Sequence, residues 1–203
     1  LVNELKNNIE GEVSSDFVTR MLYSTDASIY KIEPLGVVFP RNLEDISRVM
    51  AFTAKHNIAV VARGAGSSLA GQAIGPGLVI DTSRYLTRII DINQEERTAA
   101  VEPGVLLTAF NRAAGKKGLK FGPDPASADR ATVGGSIGNN ATGAHSILYG
   151  MSADQLYSLD VVLSDGSETT FEAIPIEKAR QIAANGNGSV EAALYRTALD
   201  IRD

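Results

Sequence analysis

The N-terminal part of the chain places two short apolar runs on either side of a segment with helical periodicity. GVVF (36–39) is β-branched and aromatic, and IAVVA (58–62) is almost continuously apolar, as strands buried on both faces are. Asn42 precedes the periodic segment and is a favourable N-cap residue. Strand, helix and strand in this order predict a parallel βαβ unit. The inner positions of the predicted helix are Ile46, Val49, Met50 and Thr53.

The middle of the chain changes from this order to paired strands. LVID (78–81) predicts a third strand of the first unit. LTRIIDI (86–92) and RTAAVEP (97–103) predict two strands joined by the turn-prone NQEE. SLDVVLSDGSETTFEA (158–173) predicts a hairpin that turns at its Asp-Gly dipeptide.

Apolar spacing predicts two further helices. VLLTAFNRAAGKKG (105–118) forms one that ends at glycine, and a second begins after Ser189, which is placed to cap it. ANGNGS (184–189) predicts a flexible joint in front of the last helix. The residues expected to face inward from the first of these helices are Leu106, Ala109, Phe110 and Ala113. The apolar positions of the last helix are Val190, Leu194, Ala198 and Ile201.

These elements predict an α+β fold with two lobes rather than βαβ alternation throughout. Residues 1–82 form a small parallel βαβ lobe, and residues 83–175 form a larger lobe with an antiparallel or mixed sheet flanked by helices. Residues 176–203 form a C-terminal helical segment. Each of the two lobes carries one glycine-rich loop.

Composition narrows the classes of function. The chain has 19 basic and 24 acidic residues, so it lacks the basic excess that is typical of nucleic-acid binders. It has no cysteine, which excludes disulfides, thiolate zinc sites, a bound iron–sulfur cluster and a cysteine nucleophile within these residues. Its apolar runs are too short to span a bilayer, and no signal-peptide pattern is visible, so we expect a cytoplasmic protein. The chain begins at leucine and ends inside a helix-like segment, and we expect it to be part of a longer protein.

The first glycine-rich loop follows the second predicted strand. Residues 60–77, VVARGAGSSLAGQAIGPG, contain a single charged side chain. A dinucleotide fingerprint fits at Gly64 and Gly66 but has Leu69 at its third position. The P-loop spacing from Gly66 to Gly71 is followed by Gln and Ala where Lys and Ser or Thr are required. The loop therefore has the composition of a phosphate site but matches neither common template.

The second loop, ATVGGSIGNNATG (131–143), predicts a tight helical turn that begins near Thr132. A helix N-terminus of this kind offers unpaired N–H groups and a favourable dipole to an anion. Asn139 and Asn140 are expected to hydrogen-bond a carbonyl-rich ring or a ribose. The amides expected to be free are those of Val133, Gly134 and Gly135.

The two histidines of the chain do not form a recognisable catalytic or metal site. His56 ends a predicted helix, where a cation suits the helix dipole. His145 follows the second loop, and both a role as a catalytic base and a backbone hydrogen bond are open to it. No paired carboxylates accompany either residue, and no Ser-His-Asp constellation is recognisable, so we expect no metal site and assign no catalytic residue.

Five segments resemble one family of flavoproteins. They are VVARGAGSSLAGQ, TAAVEPGV, FGPDPAS, TVGGSIGNNATGAHSILYG and VVLSDG. Together they are similar to the FAD-binding domain of the vanillyl-alcohol oxidase and p-cresol methylhydroxylase type, in the D-2-hydroxyacid dehydrogenase branch that includes D-lactate dehydrogenases and the glycolate oxidase flavin subunit. The resemblance runs in order over residues 23–171. YSTDASIY (23–30) and GAHSILYG (143–150) are similar to large bacterial members fused to an iron–sulfur module.

The resemblance implies a two-lobe cradle for FAD. The first loop wraps the diphosphate, the second lies along the ribityl chain and flavin, and part of FGPDPAS bounds the pocket. Some family members attach FAD through a histidine in the first loop, where this chain has Ser67, so we expect non-covalent FAD. The residues implied to contact FAD are Arg63, Gly64, Ala65, Gly66, Ser67, Ser68, Gly71, Gln72, Pro123, Asp124, Ser127, Thr132, Val133, Gly134, Gly135, Asn139, Asn140 and Gly143.

The activity implied by the resemblance is an FAD-dependent oxidoreductase acting on CH–OH groups. A 2-hydroxy acid such as D-lactate or glycolate is oxidised by hydride transfer to the flavin, and the electrons leave to an iron–sulfur module or a quinone. Substrate-binding groups and the base come from a cap domain that these residues do not contain. Two alternatives remain: another oxidase or reductase of the same superfamily, with an alditol, lactone, phenol or sugar-nucleotide substrate, or a non-catalytic nucleotide-binding module.

Overall fold

A computed structural model describes residues 2–186 and 188–202. The first part of the chain, up to residue 81, forms one four-stranded sheet with three helices. The helices are α1 (Val2–Lys6), α2 (Phe17–Leu22) and α3 (Leu43–His56). The strands are β1 (Glu12–Ser14), β2 (Gly36–Phe39), β3 (Val60–Arg63) and β4 (Leu78–Asp81). The sheet order is β1-β2-β4-β3, with β1 antiparallel to β2 and the other pairs parallel. The predicted parallel strands are confirmed, but β4 lies between β2 and β3.

Both faces of the central strands are buried, which explains their continuous apolar sequence. In β2, Val38 packs into a cluster that also contains Val49 of α3, whereas Val37 and Phe39 face a second cluster on the other side. The strand β4 divides in the same way, with Val79 in the second cluster. Burial on both faces fixes the strand register, because a shift of one residue would exchange the two faces.

Helix α3 begins and ends at the residues that the sequence predicts. The side chain of Asn42 accepts a hydrogen bond from the Asp45 amide at 2.8 Å, which satisfies one of the free donors of the first turn. Asn57 follows the helix in the left-handed conformation, with φ 54°. The buried Asp45 carboxylate accepts the amides of Glu10 and Arg41 at 2.8 Å each, and thereby ties the helix start to neighbouring chain segments.

The second lobe contains two separate two-stranded antiparallel sheets. The α+β class is confirmed, and both predicted hairpins are present with shorter strands. A short 3₁₀ helix covers Ala153–Gln155. The strands are β5 (Ile89–Asn93), β6 (Thr98–Val101), β7 (Ser158–Val162) and β8 (Glu168–Glu172). The helices are α4 (Leu107–Gly115), α5 (Val133–Gly138) and α6 (Ser146–Tyr149).

The predicted inner face of α4 is wrong by one residue at its start. Leu106 is extended and forms a bridge with Thr132, so the helix begins at Leu107. Leu107 and Ala114, two turns apart, are the buried residues, whereas Leu106 and Ala109 are exposed. The bridge to the second loop sets this register, and the sequence of the helix alone does not reveal it.

The β7–β8 hairpin joins the two lobes. Its turn at Gly166 has φ +88° and lies against α3, where a Cβ would come within 2.7 Å of the Ser47 carbonyl oxygen and 2.8 Å of the Ala51 Cβ. The hydroxyl of Ser47 donates to the Glu168 carboxylate. These contacts hold the hairpin on the first lobe. They do not test the predicted boundary between the two lobes at residues 82 and 83.

Two packed helices, α7 (Ile176–Asn185) and α8 (Val190–Arg202), form the C-terminal segment. Ser189 caps α8 as predicted, because its hydroxyl accepts the Ala192 amide at 3.2 Å. The helix buries Ala192, while the predicted apolar positions Leu194 and Ile201 are exposed. The predicted joint overlaps the last residues of α7, and its Asn187 lies outside the described residues.

Candidate functional site

The first glycine-rich loop leaves β3 at the carboxyl ends of the parallel strands, where open α/β sheets bind their ligands. The amides of residues 64–69 donate to no acceptor among the residues that the structure describes. The next amide, of Ala70, donates to the Gln72 side chain at 3.2 Å. Gly66 and Gly71 have positive φ values of 67° and 80°, which other residues rarely adopt. The loop thus offers six unpaired N–H groups, the chemistry of an anion site.

Arg63 supports this loop with a guanidinium group that protein carbonyls already occupy. Its Nη1 donates to the Thr25 carbonyl at 2.9 Å and to the Ala73 carbonyl at 3.1 Å. The guanidinium lies 5.0 Å from the centre of the Tyr23 ring. A Cβ at Gly66 would collide with the Nη2 nitrogen of Arg63, so the backbone of the loop is in direct contact with the guanidinium group. The sequence placed Arg63 among the ligand contacts, and the structure shows it bracing the loop.

An N-terminal segment that the sequence analysis did not place in the site also contacts the loop. We call residues 23–30 the strap. The Ala27 amide donates to the Gly66 carbonyl at 3.0 Å. The Tyr30 ring faces Gly71, where a Cβ would lie 3.0 Å from its edge. The strap therefore holds both glycines that give the loop its left-handed turns.

Asp26 gives the strap its shape. One carboxylate oxygen accepts the Ser28 amide at 2.9 Å, and the other accepts the Ala73 amide at 3.3 Å. Burial raises the pKa of Asp26, but the hydrogen bonds from Ser28 and Ala73 and the charge of Arg63 outweigh it and hold the pKa below its ordinary value of 3.8. The Asp-x-Ser pattern is a turn signal in the sequence, but it gives no indication of the contact with Ala73.

A hydrogen bond between half-buried Tyr23 and buried Asp81 anchors the strap to the sheet. The Tyr23 hydroxyl donates to the carboxylate of Asp81, the last residue of β4, which is 4% exposed. Asp81 also accepts the amide and the hydroxyl of Ser83, at 2.7 and 2.6 Å. Burial, followed by the hydrogen bond to Asp81, raises the pKa of Tyr23 far above its ordinary value. Tyr23 therefore stays a neutral donor at the base of the strap.

The second loop forms α5 as predicted, with Thr132 as its N-cap. The expectation of three free amides at its start is wrong. Each of them has a protein acceptor, because the chain before α4 pairs with the helix start. The acceptors of Val133, Gly134 and Gly135 are the carbonyl oxygens of Val105 and Pro103, both at 2.8 Å, and the Thr132 hydroxyl at 3.2 Å.

What α5 offers instead is open space beside its backbone. A Cβ at Gly135 would meet only the Thr132 hydroxyl, at 3.0 Å, and a Cβ at Gly138 would meet nothing within 4 Å. A Cβ at Gly134, by contrast, would lie 2.5 Å from Pro103. Gly134 is therefore required for packing, whereas Gly135 leaves room for the approach of a ligand.

Thr132 brings the two loops together. A Cβ at Gly64 would collide with the Thr132 hydroxyl, which is buried and already accepts the Gly135 amide. The start of the first loop and the cap of the second are thus in van der Waals contact. The two glycine-rich loops therefore touch at this point, and the prediction that they bind one ligand together stays a prediction.

The two asparagines at the end of α5 are engaged within the protein. The Asn139 side chain donates to the Gly135 carbonyl at 3.1 Å. Asn140 has φ +45°, and its side-chain oxygen accepts the Ala153 amide at 2.9 Å. Their expected bonds to a ring or ribose remain a prediction, and Asn140 has a structural role beside it.

The FGPDPAS segment packs against the end of the second loop. A Cβ at Gly143 would collide with the carbonyl of Pro123, and the Ala144 amide donates to the Asp124 carbonyl at 3.2 Å. Asp124 has φ +56°, a conformation that these contacts stabilise. Ser127 uses its carbonyl to accept amides at 2.7 and 2.8 Å in the turn that leads to the second loop.

The two histidines have different surroundings. His145 pairs with Asp124 through Nδ1 and Oδ2 at 3.1 Å, and Lys120 binds the same oxygen at 3.1 Å. His56 ends α3 as predicted and packs against Phe52, with ring centres 4.5 Å apart and ring planes inclined at 45°. No set of three or more His, Cys, Asp or Glu side chains within residues 2–186 and 188–202 is arranged to hold a metal ion.

A cleft of about 340 Å³ lies beside the first loop. Ala65 contributes the wall from the first loop, and the segment before and within α4 contributes most of the rest. Leu106 and Ala109, predicted to be core residues, line this cleft instead. The complete lining is Ala65, Ser83, Thr87, Ile89, Gly104, Val105, Leu106 and Ala109. No sequence signal separates an apolar cleft wall from an apolar core face.

The loops are built to bind rather than to transfer protons. Residues 64–72 contain no titratable side chain, and the positive charge of Arg63 lies directly beneath them. Unpaired amides beside a half-buried cation stabilise a phosphate group without supplying an acid or a base. Among the described helices, none combines the length and the apolar character needed to cross a bilayer.

Comparison with known proteins identifies the ligand class. Residues 34–172 match the family model described as an FAD binding domain. A D-2-hydroxyglutarate dehydrogenase from Pseudomonas putida KT2440 is 34% identical over 98% of this chain. Glycolate oxidase subunit GlcD from Bacillus subtilis 168 is 37% identical over 72% of it. The chain covers only 20% of the first relative's length and 32% of the second's.

Solved structures show the same fold. An alkyldihydroxyacetonephosphate synthase aligns with a TM-score of 0.74 at 24% identity, covering 85% of this chain and 37% of that one. A chitooligosaccharide oxidase aligns with a TM-score of 0.73 at 17% identity, covering 90% of this chain and 38% of that one. At these identities the likeness concerns the fold alone. The family match over more than half of the chain carries the assignment: the chain belongs to the FAD binding domain family.

Proposed function

We propose that this chain holds the FAD of an enzyme that oxidises a 2-hydroxy acid. The observation that carries the proposal is the row of six unpaired amides in residues 64–69, in a loop that contacts the second glycine-rich loop through Thr132. Two relatives are named for D-2-hydroxyglutarate and glycolate, and both compounds are 2-hydroxy acids. D-Lactate belongs to the same chemical class.

The residues present fit FAD in two respects. The first loop supplies backbone donors for the dianionic diphosphate, and no carboxylate in residues 64–72 opposes it. Gly135 leaves the backbone of α5 open beside these donors. The contacts we propose are those of both loops and the FGPDPAS segment: Arg63, Gly64, Ala65, Gly66, Ser67, Ser68, Gly71, Gln72, Pro123, Asp124, Ser127, Thr132, Val133, Gly134, Gly135, Asn139, Asn140 and Gly143. Arg63 acts from beneath the loop, through its charge and its hold on the backbone.

Bound FAD would accept a hydride from the substrate carbon, which is the chemistry that no side chain provides. The chain itself binds and orients the cofactor and shields one side of it from water. Beside the second loop, Lys120 and His145 both pair with the Asp124 carboxylate. We assign no catalytic base among them. We propose that the base and the substrate-binding groups lie in polypeptide that the longer relatives possess in addition to the part matched here.

The first loop favours non-covalent attachment of FAD. Residues 64–72 contain no histidine, cysteine or tyrosine, and Ser67 occupies the position at which some family members carry the attaching histidine. An iron–sulfur module or a quinone remains the proposed electron acceptor.

The experiment is reconstitution of the purified chain with FAD. We expect a yellow protein that quenches flavin fluorescence on titration, and that releases free FAD when denatured in acid. A chain that stays folded but binds no FAD contradicts the proposal, and flavin that stays with the acid-precipitated protein contradicts non-covalent attachment. Equal affinity for ADP and FAD supports the nucleotide-binding alternative. In the full-length enzyme, bleaching of the flavin by D-2-hydroxyglutarate, glycolate or D-lactate identifies the substrate.

A further inference from the structure

We propose that the strap, residues 23–30, is the positioning element of the first loop, and that through Arg63 and Asp26 it orients the loop amides that bind FAD. The inference rests on the proposed function. The strap precedes residues 34–172, which match the family model. Its contacts with the loop show how it acts.

Arg63 is the centre of these contacts. Its Nη1 nitrogen donates to two carbonyl oxygens of the strap, those of Thr25 at 2.9 Å and Tyr23 at 3.5 Å. The same nitrogen donates to the Ala73 carbonyl at the end of the loop, at 3.1 Å. The cation therefore joins the strap to both ends of the loop, because its own backbone begins the loop and Ala73 closes it. Hydrogen bonds to a charged donor are stronger than those between neutral groups.

A second contact sets the direction of a loop amide. The Ala27 amide holds the Gly66 carbonyl at 3.0 Å. A trans peptide carries its C=O and the following N–H on opposite sides of a rigid plane. The bond to the strap therefore points the N–H of Ser67 away from the strap, towards the open side of the loop. With Gly66 at φ +67°, this peptide would otherwise have several orientations available.

Charge alone predicts the opposite effect for one strap residue. Asp26 places a negative charge beside a loop proposed to bind a dianion, so removal of that charge should strengthen binding if Asp26 acts only through its field. If the strap positions the loop, removal of the Asp26 carboxylate frees the Ala73 amide and the Ser28 turn, and binding weakens. The direction of the change distinguishes the two explanations.

The test compares Asp26→Ala with Asp165→Ala. Asp165 has the same charge and makes the same kind of turn, accepting the Ser167 amide at 3.0 Å, but it lies in the β7–β8 hairpin. The dissociation constant for FAD is measured by quenching of flavin fluorescence in each variant and in the wild-type chain. We expect Asp26→Ala to bind roughly tenfold more weakly, and Asp165→Ala to match the wild type. Unchanged or tighter binding by Asp26→Ala would overturn the proposal.

A measurement without FAD separates the strap from the proposed function. In the ligand-free protein, hydrogen exchange at the Ala27 amide reports its bond to Gly66 directly. We expect this exchange to accelerate roughly tenfold in Arg63→Met, while the amides of β4 keep their protection. Equal Ala27 exchange in Arg63→Met and in the wild type overturns the role of Arg63. A wild-type chain that binds no FAD overturns the proposed function instead.

Discussion

Gly134 and Gly135 are adjacent in α5, and their missing side chains serve different purposes. Gly134 lies against Pro103 and is needed for packing, whereas Gly135 faces open space apart from its cap hydroxyl. The sequence predicted both as ligand contacts with free amides, because the pattern of a helix N-terminus does not reveal which acceptors the rest of the chain supplies. The amide prediction failed at these residues for that reason, while the predicted position of the helix start at Thr132 was right.

Replacement of Gly135 by valine tests the open side of α5. A β-branched side chain there occupies the space beside the backbone, so we expect Gly135→Val to lose most FAD binding while its melting temperature stays close to that of the wild type. Flavin fluorescence and thermal denaturation measure the two effects. Gly115→Val, at the end of α4 with no neighbour within 4 Å of its Cβ, is the control and should bind FAD normally. Full FAD occupancy in Gly135→Val would remove α5 from the cofactor site.

At the scale of elements, helix caps were predicted well. Asn42 and Ser189 cap α3 and α8 as the sequence indicated, because a cap depends only on residues next to it in the chain. The inner face of α4 was predicted only in part. Phe110 packs against the core, but Leu106 and Ala109 do not, because the register depends on the bridge between Leu106 and Thr132, which are distant in sequence. Hydrogen bonds between residues close in sequence can be predicted from the sequence, whereas contacts between distant segments cannot.

Thr132→Val tests the link between α5 and the first loop. The substitution keeps the shape that contacts Gly64 but removes the hydroxyl that accepts the Gly135 amide. We expect a loss of about 1 kcal/mol in the free energy of unfolding, the usual cost of a lost cap, together with weaker FAD binding.

Asn42→Ala is the matched control for this cap. It removes a comparable hydrogen bond at α3, so urea denaturation should show a similar loss of stability. Its affinity for FAD should be unchanged. If both variants bind FAD as tightly as the wild type, the Thr132 cap stabilises the fold without contributing to the site.

At the scale of the whole molecule, the class of fold was predicted and the arrangement of strands was not. The alternation of strand and helix in residues 36–63 indicates parallel strands, but it does not show that β4 inserts between β2 and β3. The two-loop surface was predicted from a family resemblance. The strap was missed, because its role depends on one arginine side chain that reaches back to residues nearly forty positions earlier.

The contact between the lobes is tested by Gly166→Ala. Its φ of +88° and the Ser47 carbonyl oxygen 2.7 Å from a Cβ both oppose a side chain. We expect the variant to lose roughly 1 to 3 kcal/mol of stability, measured by urea denaturation. The β7–β8 turn should also become more accessible to proteases. Wild-type stability in this variant would show that close packing of the hairpin turn against α3 does not contribute to stability.

The position of β4 between β2 and β3 has a consequence for synthesis on the ribosome. The first sheet is complete once residue 81 has emerged, and pairing of β3 with β4 closes residues 64–77 into a loop at that moment. Thr132, whose side chain packs against Gly64, is synthesised about fifty residues later. At the usual pace of translation, on the order of 5–20 residues per second, the nascent chain carries a closed first loop for seconds before its second half exists. We therefore expect the flavin to be captured late in biogenesis, by a loop that has already formed.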